Sequence, residues 1–90
     1  MDEIQEIKDC IQAIAGRVNN VLESEIVQIM ERLGRNGYSV KSRPAGDHAI
    51  LFTINNLSLS ICTHHRGSRQ LKPPYVRRFL KVMIELELYE

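Results

Sequence analysis

The stretch that decides the fold is residues 38–62, YSVKSRPAGDHAILFTINNLSLSIC. Apolar and polar residues alternate there in three short runs, at 38–41, 48–54 and 57–62, and a period of two is typical of strands with one buried face. The segment 44–47, Pro-Ala-Gly-Asp, is a turn cluster, and Asn55-Asn56 suits a two-residue hairpin turn that needs positive φ. The segment therefore predicts three antiparallel strands joined by two turns.

Both flanks of this segment have the spacing of amphipathic helices. An apolar stripe begins at Ile4, runs through Leu22 and continues to Leu33, and one bent helix or two helices would both fit it. Asn20 followed by Glu23 resembles an N-cap with its capping-box partner. Gly34 or Gly37 would serve to end the helix. After a polar loop, Pro73-Pro74 opens a last helix, whose stripe is Val76, Phe79, Leu80, Met83 and Leu86.

The predicted fold class is α+β, a single compact domain in which a three-stranded antiparallel sheet has its helices on one face. The other face is left for solvent or a partner. At 90 residues the chain has room for one small domain.

Composition excludes several classes of protein. The chain is 43% hydrophobic and 26% charged, which is ordinary for a globular domain. It contains no run of 18 apolar residues, so we expect no membrane-spanning helix, and its acidic start predicts no signal peptide. Two cysteines are too few for a disulfide scaffold, so a reducing, cytoplasmic location is the expectation.

The net charge of +1 hides an uneven distribution. Residues 37–81 hold eight Lys and Arg against one acid, Asp47, whereas the segments 1–36 and 82–90 are each acidic by three charges. A basic middle segment predicts contact with phosphate, although a normal solvated surface would have the same composition.

Among the three histidines, His48 is placed best for chemistry. It opens the second predicted strand directly after a glycine-bearing turn, and an imidazole exchanges protons near neutral pH. Cys62, His64 and His65 lie close together in sequence, but their spacing matches no known metal-binding pattern. We therefore expect neither a metal site nor a cofactor.

The basic residues concentrate around the last helix. Arg66, Arg69 and Lys72 precede it, and Arg77, Arg78 and Lys81 fall on one of its faces. This arrangement suits the backbone of an RNA strand. A solvated helix face is the alternative interpretation.

Four segments in this order resemble the HicA-type (YcfA-like) mRNA interferase toxins. They are residues 33–38, LGRNGY; 42–48, SRPAGDH; 60–67, SICTHHRG; and 71–81, LKPPYVRRFLK. The resemblance spans roughly residues 24–84. On this basis residues 21–90 would be the HicA-like domain and residues 1–20 a helical extension in front of it.

The resemblance implies an α-β-β-β-α fold like that of double-stranded-RNA-binding domains, and an endoribonuclease that needs no metal. The family's characteristic histidine corresponds to His48, which would be the general acid or base. A HicB-like antitoxin would be the partner. The chain departs from the family at Asp47, where serine is usual, and at Pro74-Tyr75, which replace glycine and threonine.

Three functions remain open. The first is RNA cleavage by His48, and the second is RNA binding without cleavage by the same fold. The third is protein interaction through a strand edge or the first helix, including homodimerisation. The predicted RNA-binding residues are Arg43, His65, Arg66, Arg69, Lys72, Arg77 and Arg78.

Overall fold

A computed structural model describes residues 3–46, 48–65 and 68–90. Three helices and three strands follow one another along the chain. They are α1 (Glu3–Ala15), α2 (Glu23–Arg35), β1 (Val40–Pro44), β2 (Ala49–Ile54), β3 (Leu57–Cys62) and α3 (Pro73–Glu85). This order confirms the predicted α+β class. It also shows that the first apolar stripe forms two helices separated by a turn.

The strands form one antiparallel sheet in the order β1-β2-β3. The register pairs Val40 with Ile54, and Ile54 in turn with Leu57. Because alternate residues face the same side, one face carries Phe52, Ile54, Leu59 and Ile61, which are all buried. The prediction of one apolar face is confirmed.

The helices cover this apolar face. Helix α2 packs against β1, α3 packs against β3, and α1 packs against both other helices. Their buried stripes join the sheet in one core, in which Phe79 is the largest fully buried side chain. In the described part of the chain, no helix has the length and apolar character needed to span a bilayer.

The N-terminus of α2 differs from the prediction. Its N-cap is Leu22, and the carboxylate of Glu25 accepts a hydrogen bond from the Leu22 backbone N–H at 2.8 Å. The prediction of Asn20 and Glu23 was therefore wrong by two residues. The reason is tertiary: Leu22 pairs with Gln70 in an isolated bridge, and the Glu23 N–H donates to the Arg69 carbonyl at 2.8 Å. This pairing keeps Leu22 extended, so the helix begins after it.

Two local predictions are confirmed. Gly37 follows α2 with a φ of +94°, and the Tyr38 N–H donates to the Leu33 carbonyl at 3.1 Å, as in a Schellman motif. Asn55 has a φ of +54° in the turn between β2 and β3. Its side-chain oxygen also accepts from the Ser39 N–H at 3.0 Å, which extends the contact between β1 and β2 by one residue.

Candidate nucleic-acid interface

His48 lies at the end of the sheet where β2 begins. The predicted strand from 48 to 54 begins one residue later, at Ala49, and His48 occupies the turn before it. Its carbonyl accepts from the Thr63 N–H at 3.1 Å, so the backbone of His48 is held against the end of β3.

The imidazole of His48 is half-buried, and one of its nitrogens is enclosed. Nδ1 has no solvent access and no hydrogen-bond partner among the residues described. Any proton exchange with a substrate must therefore pass through Nε2. Asp47, which precedes His48 and stands where the HicA-type toxins usually have serine, lies outside the described residues.

The loop that follows β3 is hydrogen-bonded at both of its described ends. Thr63, only 1% exposed, places its hydroxyl 3.1 Å from the His65 carbonyl and 3.4 Å from the His48 carbonyl. Farther along, the Leu71 N–H donates to the Val21 carbonyl and the Lys72 N–H to the Cys62 carbonyl. The described ends of the loop are therefore held at the end of the sheet and at the start of α3.

His48 and the start of α3 are close as a consequence. The Thr63–Leu71 pairing places residue 71 two strand spacings from residue 48, roughly 10 Å at ~4.8 Å per spacing. Lys72 is half-buried at this point, and Arg69 and His65 are exposed in the loop. Arg66 lies outside the described residues.

Helix α3 and strand β3 enclose an open groove of about 760 Å³. Arg77, Arg78 and Lys81 line it and are exposed, and Ser58 lines it from β3. The opposite side of α3 carries the buried stripe, so packing of the helix fixes where these three cations point. The groove also contains one acid, Glu85.

A second basic area lies on the open face of the sheet. Lys41 and Arg43 project from β1 beside Leu51 and Thr53, and both cations are exposed. Arg43 was predicted to bind RNA together with residues of the loop and of α3, and the structure places it in this second area, on the open face of the sheet. Lys41 was not predicted, although its spacing of two from Arg43 would have placed it on the same face.

The lysines and arginines of these areas have no acidic partner among the described residues. In the described part of the chain, the ion pairs are Arg17–Glu25 and Arg35–Glu3, both between helical segments. None of the lysines and arginines described between 41 and 81 takes part in an ion pair with a described residue. Their charges are therefore free to attract an anion.

Metal binding finds no support in the described residues. They contain no group of three or more His, Cys, Asp or Glu side chains positioned to hold an ion. Cys62 is buried and its thiol lies 3.4 Å from the Thr63 carbonyl, while Cys10 is exposed on α1.

A comparison with known proteins finds no family model, curated protein or solved structure that matches this chain. The functional interpretation consequently depends on the residues and their geometry.

Proposed function

We propose that the protein binds RNA along α3 and cleaves it with His48 as the proton-transfer group, in the manner of a HicA-type endoribonuclease. The observation that carries the proposal is the set of exposed cations Arg77, Arg78 and Lys81 in one groove, without an acidic partner in the described residues. Unpaired cations on a rigid helix suit phosphate because binding releases the counterions of the nucleic acid.

The groove and His48 are close enough to engage one strand. Arg77 lies five residues after Lys72, which is about 7.5 Å along the helix axis. Residue 48 lies roughly 10 Å from residue 71. The path from His48 to Arg77 therefore combines these two distances, and its length corresponds to a few nucleotides of a single strand. An RNA held by Arg77 and Arg78 would therefore reach the end of the sheet where His48 lies.

The proposed reaction is attack by a 2′-hydroxyl on its own phosphodiester. Nε2 of His48 takes the proton of the hydroxyl while the 2′ oxygen bonds to phosphorus. The bond from phosphorus to the 5′ oxygen breaks, and this oxygen takes a proton from a water molecule, which in turn takes the proton held on Nε2, so that neutral His48 is restored and a 2′,3′-cyclic phosphate and a 5′-hydroxyl are released. Lys72 would stabilise the charge that develops on the phosphoryl oxygens.

A second candidate function is RNA binding without cleavage. The observation that favours it is the unpartnered Nδ1 of His48. A catalytic imidazole is usually oriented by a carboxylate or carbonyl that accepts from its second nitrogen, and the described residues place none there.

The experiment measures cleavage of an RNA and of its all-deoxy counterpart by the purified chain in excess chelator. We expect cleavage of the RNA alone, since the deoxy strand lacks the nucleophile. His48→Ala and the size-matched His48→Gln should lower the rate by ~10²–10⁴-fold with unchanged RNA affinity. Equal cleavage by parent and variants would exclude His48 as the catalyst.

Binding is measured on the same proteins. Arg77→Ala and Arg78→Ala should each weaken RNA binding and lower the slope of log affinity against log salt by about one unit or slightly less. Arg35→Ala is the matched control, because Arg35 lies on α2 and pairs with Glu3. RNA binding without cleavage by the parent would select the second candidate function.

A further inference from the structure

Strand β1 has an outer edge with unused hydrogen-bonding groups. Asn55 donates to the Ser39 carbonyl and Ala45 to the Ala49 carbonyl, so odd-numbered residues of β1 bond inward to β2. The alternation of an antiparallel pair then directs the N–H and C=O of Val40 and Ser42 outward. No other strand of the described residues lies on that side.

An apolar groove runs beside this edge, between the sheet and α2. Its volume is about 300 Å³. The even-numbered residues Val40 and Ser42 face into it from β1. The rest of its lining is mostly apolar: Val27, Met30, Glu31, Gly34, Ile50 and Phe52.

The two sides of the edge differ in chemistry. The odd-numbered residues Lys41 and Arg43 face the open side of the sheet, where they are exposed and have no ion pair with a described residue. A strand added to β1 would direct alternate side chains into the apolar groove and the others toward these two cations, because its own period is two.

We propose that the β1 edge binds an extended segment of another protein in which acidic and apolar residues alternate. Backbone hydrogen bonds to Val40 and Ser42 supply the pairing, which is the general mode of strand addition. The apolar residues enter the groove beside α2, and the acidic residues meet Lys41 and Arg43. Pro44 has no N–H and ends the pairing at that side.

A second copy of the chain does not fit the edge. Pairing of β1 with another β1 would bring Lys41 and Arg43 against the same cations, and like charges across a strand pair are destabilising. The C-terminal residues 85–90, ELELYE, have the required alternation. However, Leu88 is 4% exposed in the core of its own chain and donates from its N–H to the Met83 carbonyl.

RNA would use only part of this surface. Phosphates can pair with Lys41 and Arg43, but a nucleic acid has no strand backbone for Val40 and Ser42 and no apolar side chain for the groove. The combination of edge, groove and cations therefore favours a peptide.

The test uses a synthetic peptide of about seven residues, alternating Glu and Val and blocked at both ends, since a strand of that length spans β1. Its binding to the full chain is measured by calorimetry and by amide NMR shifts. The matched control peptide replaces each Glu with Lys. We expect the acidic peptide to bind, with shifts concentrated at residues 40–43, and the basic peptide to bind at least about tenfold more weakly.

Three variants test separately the three features of the proposed binding site: the two cations, the strand edge and the apolar groove. Lys41→Glu with Arg43→Glu should reverse the preference between the two peptides. Ser42→Pro should lower affinity for the acidic peptide by about tenfold or more, because it removes an outward N–H but no bond to β2. Gly34→Trp should block the groove, and the space around a Cβ at Gly34 is open to 4 Å.

Ser58→Pro is the control for Ser42→Pro, since Ser58 lies on the opposite edge strand and its N–H also points outward. Circular dichroism and thermal unfolding establish that each variant is folded. If one variant is unfolded, the test depends on the other two.

The proposal is overturned if the acidic peptide does not bind, or if it binds the folded variants as well as the parent. It is also overturned if the chain dimerises and Ser42→Pro makes it monomeric, or if the double Glu variant loses RNA binding while neither peptide binds.

Discussion

At the scale of single residues, two glycines near the end of α2 have opposite roles. Gly34 lies inside the helix with nothing within 4 Å of an added Cβ, whereas Gly37 follows the helix with a φ of +94°. Helical glycine costs stability because it loses the most backbone entropy on folding, and left-handed backbone is strained for a residue with a side chain.

The same substitution at these two positions should therefore act in opposite directions. Gly34→Ala should raise the free energy of unfolding by about 0.5–1 kcal/mol, since alanine is the better helix former. Gly37→Ala should lower it by about 1–2 kcal/mol, because alanine is strained at positive φ. Urea unfolding of the two variants beside the parent measures both changes, and a loss of stability in Gly34→Ala would mean that α2 ends before Gly34.

At the scale of elements, ion pairs near both ends of α1 connect this helix to α2. Arg17, just after α1, donates to Glu25 near the start of α2, and this contact holds the pKa of the Glu25 carboxyl below its ordinary value of 4.5. Glu3 at the start of α1 accepts from the Asn36 side chain at 2.8 Å and pairs with Arg35, and the hydrogen bond from Asn36 lowers its pKa.

The packing of α1 on α2 should consequently depend on pH. A lowered pKa in the folded state means that ionised Glu25 favours folding; this contribution is present above the ordinary pKa and is lost as pH falls through the folded pKa. Glu25→Gln should therefore cost up to about 1 kcal/mol at pH 7, as for partly exposed pairs. The cost should shrink as pH falls through the lowered pKa of Glu25, because both proteins carry a neutral side chain once that carboxyl is protonated.

Unfolding free energies of parent and Glu25→Gln between pH 3 and 7 measure this effect, and Glu23→Gln is the control because Glu23 has no ion pair with a described residue. A difference between parent and Glu25→Gln that stays constant over this range would show that the carboxylate charge does not contribute.

The strands were more predictable than the helix ends for a physical reason. The alternation in 48–54 and 57–62 reflects one buried face, and burial of that face also determines the register, so sequence and structure agree there. The cap of α2 depends instead on the pairing of residues 21–23 with the distant segment 69–71. No pattern near Asn20 contains that information.

The candidate site likewise has some features that the sequence could predict and others that it could not. Arg77, Arg78 and Lys81 could be grouped from helical spacing alone, because one face of an amphipathic helix must be exposed. The position of Arg43 on the open face could not be predicted in this way, since it depends on which face of the sheet the helices cover. The enclosure of His48 Nδ1 without a hydrogen-bond partner among the described residues is likewise a product of tertiary packing.

At the scale of the whole molecule, the charges separate into two classes. Two ion pairs, Arg17–Glu25 and Arg35–Glu3, join the segment 3–17 to α2, whereas the lysines and arginines described between 41 and 81 form no ion pair among the described residues. The α3 groove and the β1 edge lie at opposite sides of the three-stranded sheet. The two proposed ligands, RNA and an acidic peptide, could therefore be bound at once.

The core of the molecule extends through α1. Ile7, Ile11 and Ile14 are each at most 1% exposed and belong to the same apolar cluster as the sheet and α3. Burial of each such side chain is worth about 1.5–3 kcal/mol, so three account for roughly 4.5–9 kcal/mol. This is comparable to the entire stability of a small domain, about 5–15 kcal/mol.

Residues 21–90 should therefore not form a stable fold without α1, even though the resemblance to HicA-type toxins lies within them. Deletion of residues 1–20 should abolish the cooperative urea transition and the dispersed amide NMR spectrum of the full chain, because the faces of α2 and α3 that contact α1 become exposed. Ile11→Ala in the full chain is a milder change to the same helix, and it should lower the free energy of unfolding by about 2–5 kcal/mol. A cooperative transition in the deleted chain, close to that of the parent, would instead make α1 an accessory to a core that is complete without it.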